Sequence, residues 1–198
     1  FDVDGNTDKY DSSEVQPENQ ASPAQQIPIN LNARNLPDFI YVPSVKLYVA
    51  KERTLEGKDW FECHRELQAN GCRMPTIKEF AEFLRYLKSS SNGIQNAYSQ
   101  ASSQEVNKIL DEILTIRNPW RAEWLDAKFE KKNGFLGTGL VSKMHIDYSH
   151  KLQQDGSLKA KYSEPLEDYL TEDRKISLEN WINNQSKHGF PKPNVAQE

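Results

Sequence analysis

The sequence predicts an α+β fold in which amphipathic helices pack on a small antiparallel sheet, behind a disordered N-terminal leader. Three observations carry that prediction. Between Trp60 and Leu87, apolar residues recur at helical spacing in two runs separated by a hard stop. A third run of the same kind follows Ser102. From Leu125 to Tyr162, apolar and polar residues alternate around the hairpin signals Asn133-Gly134 and Asp155-Gly156.

Residues 1–35 are expected to be a leader or linker. They are polar, with Pro, Ser, Gln and acidic residues and little to bury. Asp2, Asp4, Asn6 and Asp8 alternate as in calcium loops, but an EF-hand needs Gly where Thr7 stands and Glu where Ser13 stands. A solvated acidic run is the expectation there. The folded domain is expected over 36–198. Its first elements are short strands at Phe39 to Val42, on an edge because of Pro43, and at Val45 to Ala50.

The first helix carries Trp60, Cys63, His64 and Leu67 on one face. Asp59 can cap its start, and Gly71 ends it. Pro75 forbids helix before itself, and Thr76 with Glu79 forms the capping box of the second helix. That helix repeats the stripe with Ile77, Phe80, Ala81, Leu84 and Leu87, so both stripes are expected to rest on a sheet. A polar loop follows. Ser102 and Glu105 then box a third helix striped by Val106, Ile109, Leu110, Ile113 and Ile116, closed by Asn118-Pro119. Trp120 and Trp124 are expected as core anchors. Met144, Ile146 and Tyr148 mark the buried side of a half-wet strand, and a short helix is expected around 177–181.

The chain has 198 residues, 36% of them hydrophobic, and a formal charge of -4. The charges are mixed along its length, with no clustered Lys and Arg of the kind a nucleic-acid surface needs. No apolar run reaches the length of a membrane span, and no signal peptide is visible. The compartment, cytoplasm or cell surface, is left open. Cys63 and Cys72 are expected as reduced thiols, since a disulfide would have to join the two ends of one short helix.

The catalytic templates find nothing. GxGxxG, GxxxxGK[ST], GxSxG and HExxH are absent, and no cofactor is expected. Cys63 and His64 are helix neighbours about 100° apart and cannot pair as nucleophile and base. His64 is expected as a hydrogen-bonded core histidine. Glu62, Glu66, Glu79 and Glu82 are expected as solvated helix-surface carboxylates. His145 and Asp147, with His150 nearby, form a candidate metal or proton-relay face, against the plainer expectation of a solvated strand face.

Several stretches in order resemble one family. They are LYVAKERTLEGKDWFECHRELQANGCRMPTIKEFAEFLRYL, RNPWRAEWLDAKFE, HIDYSH, SEPLEDYL and HGFPKPNV. Together they are similar to the variable proteins of archaeal diversity-generating retroelements. More broadly they resemble C-type-lectin-like domains, including the formylglycine-generating-enzyme branch. The phrase G-x-R-[LM]-P-T between two helices stands here as Gly71-Cys72-Arg73-Met74-Pro75-Thr76, followed by Glu79-Phe80.

The resemblance implies a C-type-lectin-like scaffold that binds rather than reacts. Its partner would be a protein or surface ligand met through a C-terminal variable region. The segment matching that region would begin after Asn194-Val195, so this chain is expected to be the scaffold part, with unpaired sheet edges. No catalytic, cofactor or metal residue is assigned. Trp181, Asn183 and Asn184 are the candidates for ligand contact. Two other readings remain: a metal-dependent or formylglycine-generating-enzyme-like domain using His145, Asp147 and His150, with His64 as a further member, or a structural surface or viral assembly subunit.

Overall fold

Hydrogen-bonded caps set where each helix begins. The computed structural model describes residues 36–117, 123–136, 139–167, 170 and 175–193. The acidic leader with its calcium-like spacing, Trp120, and the segment after Pro193 lie outside the described residues. Among the described residues there are four helices and three small antiparallel sheets, in the order β1 (Phe39–Val42), β2 (Leu47–Ala50), α1 (Trp60–Ala69), α2 (Ile77–Ser89), β3 (Ile94–Gln95), β4 (Gln100–Ala101), α3 (Ser103–Leu114), β5 (Lys128–Leu136), β6 (Gly139–Leu152), β7 (Leu158–Pro165) and α4 (Leu178–Asn183).

The expected caps are present. Asp59 accepts from the Glu62 N–H at 2.7 Å, and Glu62 returns the bond to the Asp59 N–H at 2.9 Å. Thr76 with Glu79 and Ser102 with Glu105 do the same for α2 and α3. Gly71 (φ 71°) ends α1. The Cys72 N–H reaches the Leu67 carbonyl at 2.8 Å and the Gly71 N–H reaches that of Gln68 at 3.1 Å, the Schellman pattern.

The main core is more helical than the sequence implied. Ile40 and Val42 of β1, Phe83, Leu84 and Leu87 of α2, Val106, Ile109 and Leu110 of α3, and Ile182 of α4 are buried together. The stripe of α2 therefore rests on α3, α4 and the β1–β2 hairpin, not on the large sheet. Among the described residues, α1 is the helix that packs chiefly on β6. The reason is compositional. Strands β5 and β7 contribute Lys128, Lys131, Lys132, Lys159 and Lys161, which leaves that sheet too little apolar surface to cover a second stripe. The two thiols are unbonded, Cys63 buried and Cys72 half-buried.

Several expectations are corrected. Asn133-Gly134 is not the turn: it sits inside β5, paired with Ser142 and Val141, and the register carries the ladder on to Leu136 opposite Gly139. Asp155-Gly156 does make the β6–β7 turn, with Gly156 at φ 86°. The polar loop after α2 contains the small β3–β4 pair, held by Ser99, whose hydroxyl accepts the Tyr41 N–H at 3.1 Å. Ile116 is 96% exposed, because α3 stops at Leu114. Trp124 is 53% exposed and gives its indole N–H to the Lys58 carbonyl at 3.1 Å. Trp60 and Phe80 are half-buried rather than central, and Met144 is exposed while Ile146 is buried. Glu82 is buried between Lys78 and Arg85, and Glu79 is held by Arg73; neither is a solvated surface carboxylate.

The chain leaving α4 folds back over the start of α2. Gln185 bridges to Pro191, and Gly189 (φ 92°) lies so close to α2 that a Cβ there would stand 2.5 Å from both the nitrogen and the Cα of Lys78. At Gly156, by contrast, a Cβ would meet open space. Gly156→Ala should therefore cost only the left-handed strain of about 1–2 kcal/mol. Gly189→Ala adds overpacking against backbone and should cost roughly 3–4 kcal/mol. Chemical denaturation of the two variants checks this, and equal midpoints would contradict the packing of 185–191 on α2.

Candidate functional site

Two features lie side by side on the β6 face of α1. The first is a cavity of about 580 Å³ between the β1–β2 hairpin, the 51–58 segment, α1, and the inner ends of α2 and α3. Its walls are mostly apolar, with Leu47, Leu67, Met74, Phe80, Phe83 and Ile113 among them. Arg53 stands at its rim among three carboxylates, with Glu123 at 3.1 Å, Glu112 at 3.7 Å and Glu56 at 3.8 Å.

The second is a buried cluster. α1 supplies His64, the segment before β5 supplies Asp126, and β6 supplies His150, which also lines the cavity. His64 and Asp126 are 0% exposed and His150 is 3% exposed. His150 donates its backbone N–H to Asp126 Oδ2 at 3.0 Å, and its ring Nδ1 stands 2.5 Å from Oδ1. His64 Nε2 lies 3.7 Å from the same Oδ1. The Trp60 ring meets both imidazoles edge-on, with centroids 4.2 Å from His64 and 5.0 Å from His150. Gln68 fixes the strand end to the helix: its amide N–H reaches the His150 carbonyl at 3.0 Å and its oxygen accepts the Leu152 N–H at 2.8 Å. Burial holds the His64 imidazole neutral, with its pKa pushed down to about 4 against the pull of Asp126.

This geometry rearranges the sequence candidates. His64 is the buried histidine expected, and it does meet His150. His145 and Asp147 do not join them. Asp147 is buried and faces Lys132 Nζ at 3.4 Å, so the solvated strand face expected for it is corrected. The local cause is that β6 is covered on both sides there, and Ser149 at φ 58° turns the strand just before His150. Asp126 escaped sequence reasoning altogether. It stands 62 residues from His64 and 24 from His150 in the sequence, outside any spaced motif.

Trp181, Asn183 and Asn184 do not gather into a site. Trp181 packs on the core and gives its indole N–H to the Gly189 carbonyl at 2.6 Å. Asn183 is exposed, and Asn184 caps α4.

A second polar cluster joins β7 to the segment after α4. His188 contacts Glu167 at 3.0 Å and Glu164 at 3.2 Å, and Tyr148 donates to Glu164 at 2.7 Å. The Lys187 and Tyr148 bonds hold Glu164 down to about 2. Burial, with the Glu164 contact, pushes the Tyr148 phenol well up.

No family model matches this chain, and no curated protein or solved structure is significantly similar to it.

Arg73, on the cavity wall, clamps Glu79 with two bonds of 2.6 and 2.8 Å. Burial pushes the Glu79 carboxyl up, but the Arg73 fork and the Thr76 N–H outweigh it, and the net shift is downward. A depressed carboxylate contributes stability above its unfolded value of about 4.3, and that contribution is lost as pH falls through the folded value. Glu79→Gln should therefore cost about 1.5–3 kcal/mol at pH 7. The gap to the parent chain should narrow on acidification below pH ~4, measured by urea midpoints across pH. A constant gap would mean the pair carries no linked proton.

Proposed function

We propose that this domain is a non-catalytic binding scaffold whose ligand is a small molecule with a largely apolar body, held in the cavity between the β1–β2 hairpin, α1 and α3. The cavity carries the reading. Its volume of about 580 Å³ lies within the range of about 300–1,000 Å³ that small-molecule sites occupy. Apolar walls with a few charged groups at the rim are the usual make-up of such a site.

The reactive groups beside the cavity favour binding over chemistry. Burial pushes the Cys63 thiol up, away from the nucleophilic thiolate. His150 Nε2 has no hydrogen-bond partner, so Cys63 and His150 do not form an activated pair. The C-type-lectin-like architecture, and kinship with the variable proteins of diversity-generating retroelements, belong to the same proposal. They are supported by the helix–Gly71-Cys72-Arg73-Met74-Pro75-Thr76–helix unit with its capping boxes on both helices.

The test uses 1-anilinonaphthalene-8-sulfonate, an apolar probe of suitable size, with the native chain. About one equivalent should bind without lowering the melting midpoint. Ile113→Trp, which places an indole in the cavity, should weaken binding at least about tenfold while the chain stays folded. Undiminished binding to the Ile113→Trp variant, or no binding to the native chain, would remove the cavity from consideration.

A further inference from the structure

The buried cluster beside the cavity goes beyond that reading and stands independently of it. We propose that His64, Asp126 and His150 bind one divalent transition-metal ion of the zinc class. The alternative metal reading of the sequence set His150, with His64, beside His145 and Asp147; the structure joins the two histidines to Asp126 instead.

Convergence is the first argument. Three elements remote in sequence each contribute one donor residue, and a donor atom from each lies within 4.8 Å of the other two. The second argument is an open lone pair. His64 Nε2 is buried without any hydrogen-bond partner and faces Asp126 Oδ1 at 3.7 Å. An unsatisfied buried polar atom costs about 1–3 kcal/mol, so an orphaned imidazole nitrogen beside a buried carboxylate needs an explanation. A cation between the two supplies one.

The donor set selects the ion. Two imidazoles and one carboxylate suit zinc, iron, cobalt or nickel, whereas calcium and magnesium require an oxygen shell that this pocket lacks. Metal–ligand bonds of about 2.0–2.2 Å in a tetrahedron set neighbouring donors about 3.3 Å apart. The Asp126 Oδ1 to His64 Nε2 distance is 3.7 Å, and that to His150 Nδ1 is 2.5 Å. Binding thus replaces the proton shared by His150 and Asp126 with the ion, and the two donors part by under about 1 Å.

The supporting groups are already fixed. Gln68 anchors the His150 backbone and approaches His64 Nδ1 at 3.5 Å, which leaves Nε2 of His64 turned to Asp126. The nearby charge of Arg73 is matched by the Glu79 carboxylate, to which it donates two bonds, and does not stand uncompensated against a cation. His150 lines the cavity, so the cluster adjoins it on that side.

The experiment titrates the chelator-treated full chain with Zn²⁺ and, for its visible bands, with Co²⁺. One equivalent should bind, Co²⁺ should give the intense bands of a four-coordinate site, and Zn²⁺ should raise the melting midpoint reversibly with EDTA. Asp126→Asn, close in shape, should weaken Zn²⁺ at least about tenfold. His145→Ala and His188→Ala should leave stoichiometry and affinity unchanged. Absence of stoichiometric binding to the unsubstituted chain would overturn the proposal even if the Asp126 variant failed to fold. So would binding that survives Asp126→Asn but is lost with His145→Ala or His188→Ala.

Discussion

A buried carboxylate has to be answered from every side, and much of this chain is arranged around the answer to Asp126. Its backbone N–H reaches the Pro75 carbonyl at 2.9 Å, in the turn between α1 and α2. Its side chain takes the His150 N–H and faces both histidines. One residue earlier, the Leu125 carbonyl accepts the Trp60 indole N–H at 2.9 Å. Four parts of the molecule (α1, the Arg73–Thr76 turn, the strand β6 and the approach to β5) are thus fixed relative to one another by two consecutive residues. A charge withdrawn from water is tolerated only with such partners. Loss of any one would leave the carboxylate exposed to its full desolvation penalty, so the junction enforces a single arrangement of helix, turn and strand.

The cavity depends on that junction. Its floor belongs to α1 and the turn after it, its far wall to the β1–β2 hairpin and α3, and His150 stands where the two features meet. The hairpin and α3 belong to the apolar core around Leu84, while α1 belongs to the sheet through Gln68 and His150. The open space lies between two separately organised layers. That position suits a ligand site, because neither layer need give up its own packing to leave room.

Local rules were legible in the sequence and long-range pairing was not. Asp59, Thr76 and Ser102 read correctly as caps because a capping box is complete within four residues. Gly71 and Asp155-Gly156 read correctly for the same reason. Asn133-Gly134 misled, since an equally strong turn signal cannot say whether a longer ladder will pass through it; the cross-strand partners Ser142 and Val141 decided. The stripe of α2 was visible, but its partner was not, because a stripe specifies apolar cover and does not name the element that provides it. Trp124 shows the limit from the other side: a large aromatic reads as core, yet an indole N–H that finds a carbonyl at the surface can sit half in water. Asp126 had no local signature at all, and only the fold joins it to His64 and His150.

The three-stranded meander ends in β5 on one side and β7 on the other, each paired on a single side among the described residues. Such margins invite other chains to add strands and grow fibrils. Here the margins carry lysines at 128, 131 and 132 and again at 159 and 161, and β7 finishes on Pro165, which has no N–H to offer. Like charges brought together by a second copy would repel at each step of stacking. The lysines that starve this sheet of greasy surface therefore also make both of its margins poor templates for a further strand.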